Sequence, residues 1–172
     1  MAIENLFTTD CIRTFSGKYV NIFDPKPDMF CIEDIAHALS FQCRFGAQLP
    51  VFYTVAQHSM EVAYTSALRF GADEKIEYQG LMHDVSEAYL MDIPRPIKLR
   101  MSEYKTIEEG LMKTLSAVFN FEWPMSKMVK DADEFQLRWE WDNVFLGTGH
   151  GNILTPQEAE ADFLLMYESL KP

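Results

Sequence analysis

His83 and Asp84 stand side by side in Leu81-Met82-His83-Asp84-Val85-Ser86-Glu87, with Glu87 one helical turn further on. His58 lies upstream in Val55-Ala56-Gln57-His58-Ser59, and Asp133 lies downstream in Val129-Lys130-Asp131-Ala132-Asp133. Two imidazoles and two carboxylates make a mixed nitrogen and oxygen donor set. That set suits manganese, iron, cobalt, nickel or zinc better than calcium, and the residue types do not choose among them. A third carboxylate beside such an ion could act as a general base. A His-Asp dipeptide alone carries little information, because a histidine in an apolar run is more often a hydrogen-bonded core residue than a ligand. The order His…His-Asp…Asp, its three segments on separate predicted helices, favours the metal.

The elements that must carry these residues are mostly helical. Residues 11–23 predict a small hairpin around Ser16-Gly17-Lys18, and Asp24-Pro25-Lys26-Pro27-Asp28 then breaks regular structure. A helix is predicted from Ile32 to about Gln42, with Glu33 and Asp34 at its positive end. A loop follows to Tyr53. The next helix starts near Val55 with Thr54 as N-cap, carries His58 and ends at Gly71. Asp73 caps a third helix, predicted to hold His83, Asp84 and Glu87 and to be stopped by Pro94 and Pro96. In that helix Glu87 shares a side with His83 and Asp84, whereas the adjacent pair diverges by about 100°. Further helices are predicted near 102–119, near 125–143 and from Thr155-Pro156 towards Leu170, with Gly147, Gly149 and Gly151 marking a flexible connection. The expectation is a single all-α domain spanning 1–172, with a minor hairpin.

Composition narrows the function. A chain of 172 residues with 48% hydrophobic content folds around one sizeable core and is short for two domains. No run approaches the roughly 18–20 apolar residues of a membrane span, and MAIENLFTTD has acids where a signal peptide carries cations. Cys11, Cys31 and Cys43 are odd in number and lack CxxC spacing, which predicts reduced, buried thiols in a cytosolic protein. A net charge of −11 argues against nucleic acid as a partner, since that binding draws on lysine and arginine against phosphate. A small anionic substrate remains compatible where local cations or a metal overcome the global field.

The segments Cys43-Arg44-Phe45-Gly46, Tyr53-Thr54-Val55-Ala56-Gln57-His58-Ser59, His83-Asp84-Val85-Ser86-Glu87-Ala88-Tyr89 and Asp92-Ile93-Pro94-Arg95-Pro96-Ile97-Lys98 together resemble the HD-domain phosphohydrolases. The likeness is to the short phage and prophage type and to bacterial HD-type deoxyribonucleotide 5′-nucleotidases, and it covers roughly residues 12–140. It implies an HD-type helical bundle with His58, His83, Asp84 and Asp133 as metal ligands, Glu87 in catalysis and Asp92 as a second acid. It implies phosphate contact by Arg44 and Lys98, base stacking by Phe45, and a steric limit on the base at Pro96 that favours adenine. A second ion such as magnesium would travel with the substrate phosphates.

The implied reaction is metal-dependent hydrolysis at the α-phosphate, with dATP giving deoxyadenosine and triphosphate as the leading case. The alternatives are a deoxyribonucleoside 5′-monophosphatase and a non-catalytic nucleotide-binding subunit. The complete ligand set plus Glu87 speaks against the last, because a pure binder has no use for them all. The Gly-Tyr-Pro signature of cyclic-dinucleotide phosphodiesterases does not follow His83-Asp84. The resemblance further implies a homo-oligomer, a dimer or hexamer, working in the host cytoplasm if phage-encoded. Trp123, Trp139, Trp141, Phe119 and Phe121 offer aromatic area for a subunit interface or for a tightly filled core. His37 is expected in a core or supporting role, and His150 at the surface.

Overall fold

In the computed structural model, residues 10–147 and 151–172 are described, and the loop position of His150 lies outside them. The chain is mostly helical, with one small antiparallel hairpin. Strands β1 (Cys11–Arg13) and β2 (Tyr19–Asn21) pair with Ile12 opposite Val20. Eight helices follow among the described residues: α1 (Ile32–Ser40), α2 (Val55–Phe70), α3 (Glu74–Leu81), α4 (Glu87–Leu90), α5 (Arg95–Lys98), α6 (Ser102–Phe119), α7 (Lys127–Glu140) and α8 (Pro156–Leu170). None is long and apolar enough to cross a membrane.

Local chemistry sets most boundaries. Thr54 Oγ1 accepts the Gln57 N–H at 2.9 Å to open α2, and Gly71 closes it in a left-handed conformation. Asp73 caps α3 through the Ile76 N–H, and Thr155 with Glu158 forms a reciprocal capping box at α8. The core runs through Ile35, Leu39, Val62, Leu81, Leu111, Leu115 and Phe163. Each such side chain contributes roughly 1.5–3 kcal/mol on burial. Phe119 and Phe121 are buried in this core, so the interface reading does not apply to them.

The hairpin is tied to α1 by one carboxylate. Buried Asp34 accepts the Ser16 N–H and the Ser16 hydroxyl, both at 2.7 Å, and the Cys31 thiol at 3.1 Å. Burial alone would raise its pKa, but these donors together hold it below its ordinary 3.8. A lowered folded value contributes stability that is present above the unfolded pKa and lost as pH falls below it. Asp34→Asn is therefore expected to cost about 1–3 kcal/mol at neutral pH, because a donor then faces a donor. In urea titrations the gap to wild type should shrink as pH falls below 3.8. A gap that widens there would contradict the assignment.

The third helix differs from expectation. It ends at Leu81; residues 82–86 form a turn and Glu87 opens a separate helix. The turn uses tight bonds, Val85 N–H to Met82 and Glu87 N–H to Asp84. Val85, Ser86 and Glu87 are buried in succession. The prolines do not stop this element either. The chain leaves α4 at Met91, while Pro94 precedes α5 and Pro96 lies within it.

α2 and α3 cross closely at Gly80. A Cβ there would come within 2.8 Å of Ala63 Cα, so only glycine permits this approach. That crossing sets the turn carrying His83 directly against the helix carrying His58.

Candidate metal centre

Four side chains from three places converge. His58 comes from α2, His83 and Asp84 from the turn after α3, and Asp133 from α7. His58 Nε2 lies 3.3 Å from His83 Nε2, 3.6 Å from Asp84 Oδ2 and 3.2 Å from Asp133 Oδ1. His83 Nε2 lies 3.0 Å from Asp84 Oδ2 and 3.9 Å from Asp133 Oδ1. The turn is what lets adjacent His83 and Asp84 meet, since neighbours in a helix would point apart.

The outer nitrogens decide what these rings offer. His83 Nδ1 lies 2.7 Å from the Gly80 carbonyl, which can only accept, so that nitrogen carries the hydrogen. His58 Nδ1 lies 2.6 Å from Glu140 Oε1, a carboxylate acceptor. In their neutral forms both rings therefore turn an Nε2 lone pair towards one point. Metal–nitrogen bonds of about 2.0–2.1 Å put neighbouring ligands roughly 3–3.4 Å apart; the His58–His83, His58–Asp133 and His83–Asp84 distances fall in that range, whereas His58–Asp84 at 3.6 Å and His83–Asp133 at 3.9 Å are longer. The donor set fits a divalent transition metal. Without one, His58 is raised to about 10: burial and Arg44 oppose the charge, but Glu140 and Asp133 outweigh them. An ion bound at Nε2 would have to displace that proton.

The surrounding charges are mostly negative. Against burial, His83, His58 and Arg44 keep the Asp84 carboxylate below its usual range. Burial, and then Asp84 and Asp92, push Glu87 well above its usual range. Glu87 Oε2 is buried without a hydrogen-bond partner, while Lys98 Nζ stands 3.7 Å from Oε1. Asp92 is raised, chiefly by burial and against the pull of Arg44.

Glu140 had not been singled out from the sequence. Fully buried, it accepts from His58 Nδ1 through one oxygen and from Arg44 Nε, at 3.0 Å, through the other. A signal existed: it follows Asp133 by two helical turns, which returns it to the same face of α7. The Arg44 Nη1 stands 4.0 Å from Asp84, so the arginine spans Glu140 and the centre.

Lys98 is paired with Glu108 at 2.5 Å as well as approaching Glu87. Phe45, Gly46 and Ala47 have φ of 55°, 60° and 60°. Left-handed backbone strains Phe45 and Ala47 by roughly 1–2 kcal/mol each. The Phe45 ring tilts against Trp141 and Phe145, which stack on each other at 4.6 Å. Trp141 is exposed, in the turn Trp141–Phe145 that prolongs α7. Pro96 is exposed on α5, where its carbonyl accepts from Arg100. His37 has no part in the centre: it stacks on Phe15 at 3.8 Å and meets Glu160 at 3.1 Å.

The chain is 36% identical over 138 residues to the uncharacterized protein YfdR of Escherichia coli, an alignment covering 80% of this chain and 74% of that one. The chain belongs to the YfdR family. It is also 30% identical over 140 residues to the uncharacterized protein RCAP_rcc00048 of Rhodobacter capsulatus, covering 77% of this chain and 71% of that one. No family model matches the sequence.

Proposed function

We propose that this chain is a metal-dependent deoxynucleotide phosphohydrolase of the HD type, attacking the α-phosphate. One observation carries the reading: two imidazoles with anchored Nδ1 atoms direct Nε2 to a point shared with Asp84 and Asp133. His58, His83, Asp84 and Asp133 would hold a divalent ion, which would supply Lewis-acid activation of water and charge neutralisation at the phosphate. Glu87 Oε2, buried and unpaired, takes the proton of the attacking water as its oxygen bonds to phosphorus. The bond to the 5′-oxygen breaks, and Asp92, whose pKa is raised by burial, returns a proton to that oxygen. Arg44 and Lys98 face the charge that builds on the phosphoryl oxygens. Phe45, held in a strained turn beside Trp141 and Phe145, offers a surface for the base.

On the family resemblance, dATP giving deoxyadenosine and triphosphate is the leading reaction. A 5′-monophosphatase is favoured by a different observation. Arg44 and Lys98 already pair with Glu140 and Glu108, which leaves less cationic capacity for a triphosphate tail. Chromatographic product analysis of dNTPs and dNMPs, with manganese, cobalt or zinc, separates the two. Each metal should also raise the melting temperature, since it binds only the folded arrangement. Absence of both hydrolysis and metal-induced stabilisation would end the proposal.

A further inference from the structure

Glu87 opens α4, and the chain must then reverse to bring Asp92 back towards the same charges. Met91 makes the reversal at φ 68° and ψ 151°, a conformation that residues with a Cβ rarely adopt. It is clamped from two sides. The Tyr104 hydroxyl, from α6, donates to the Met91 carbonyl at 3.1 Å. The Asp92 N–H donates to Gln42 Oε1, also at 3.1 Å.

The same amide reaches the other acid. Gln42 Nε2 donates to the Glu87 carbonyl at 2.9 Å and to the Ala38 carbonyl at 3.2 Å. Gln42 is buried, and its own carbonyl accepts the Val55 N–H at 3.0 Å, at the start of the helix that carries His58. One planar group with a donor and an acceptor thus bridges the backbones of both acids. Glutamate could accept from Asp92 but not donate to Glu87; methionine would do neither.

We infer that Gln42 is a positioning residue: its amide sets the spacing of Glu87 and Asp92 and holds the Met91 reversal closed. The catalytic consequence rests on the proposed roles of those two carboxylates; the spacing does not. Gln42→Met and Gln42→Glu test it, read by hydrogen exchange, manganese affinity and steady-state kinetics. Amides of residues 88–92 should exchange at least about tenfold faster in both variants, with α2 and α7 unchanged. The kcat should fall by about tenfold or more while KM and manganese affinity stay within about twofold, because neither the metal ligands nor the substrate cations hang on Gln42. Unchanged exchange at 88–92 would overturn the inference. So would faster exchange throughout the chain with loss of manganese affinity, which marks a scaffold role only. If wild-type protein hydrolyses no nucleotide, the functional reading fails, and the exchange at 88–92 alone decides the positioning role.

Discussion

Glu140→Ala is expected to destabilise the protein by about 3–5 kcal/mol, because it leaves Arg44 and His58 buried without their shared counter-charge. The same change should weaken manganese binding by about 10–100-fold, since His58 loses the acceptor that fixes its tautomer and ring orientation. Urea denaturation reads the first effect, and equilibrium metal titration reads the second. Glu140→Gln separates charge from geometry. Its amide oxygen can still accept from His58 Nδ1, but it no longer neutralises Arg44. It should therefore recover more of the metal affinity than of the stability. Metal affinity unchanged in both variants would show that the Glu140–His58 contact does not orient the ligand.

Glu87→Gln is expected to lower turnover by about 10²–10⁴-fold while leaving manganese and nucleotide affinity near wild type. The glutamine has nearly the same shape and cannot take a proton from water. The folded protein should become no less stable, and gain on the order of 1 kcal/mol, because a buried carboxylate oxygen without a partner is replaced by a neutral group. Gain in stability with loss of activity is the mark of a functional residue held in an unfavourable setting. Turnover at the wild-type level would move the proton acceptor elsewhere, and a large drop in metal affinity would make Glu87 a ligand instead.

Much of this molecule was legible along the chain. The caps Thr54 and Asp73 and the stop at Gly71 follow from residues acting on their own backbone neighbours, so a linear reading reaches them. His58, His83, Asp84 and Asp133 were also named together, because the chain has only four histidines and one stands beside an aspartate, although its 26 acids are too many to select by type alone. Glu140 was within reach of the same reasoning, through its two-turn spacing from Asp133.

The tertiary structure alone decided the rest. The break at Leu81, with residues 82–86 in a turn, has no proline or glycine within 81–87 to mark it in the sequence. The close crossing at Gly80 depends on Ala63, and the Met91 reversal depends on Tyr104 and Gln42, all distant in sequence. Residue type and spacing determined which groups could bind an ion and shift a proton. Packing determined their distances, the tautomer that each ring presents, and the burial that leaves Glu87 Oε2 without a hydrogen-bond partner, because those quantities arise only where separate segments meet.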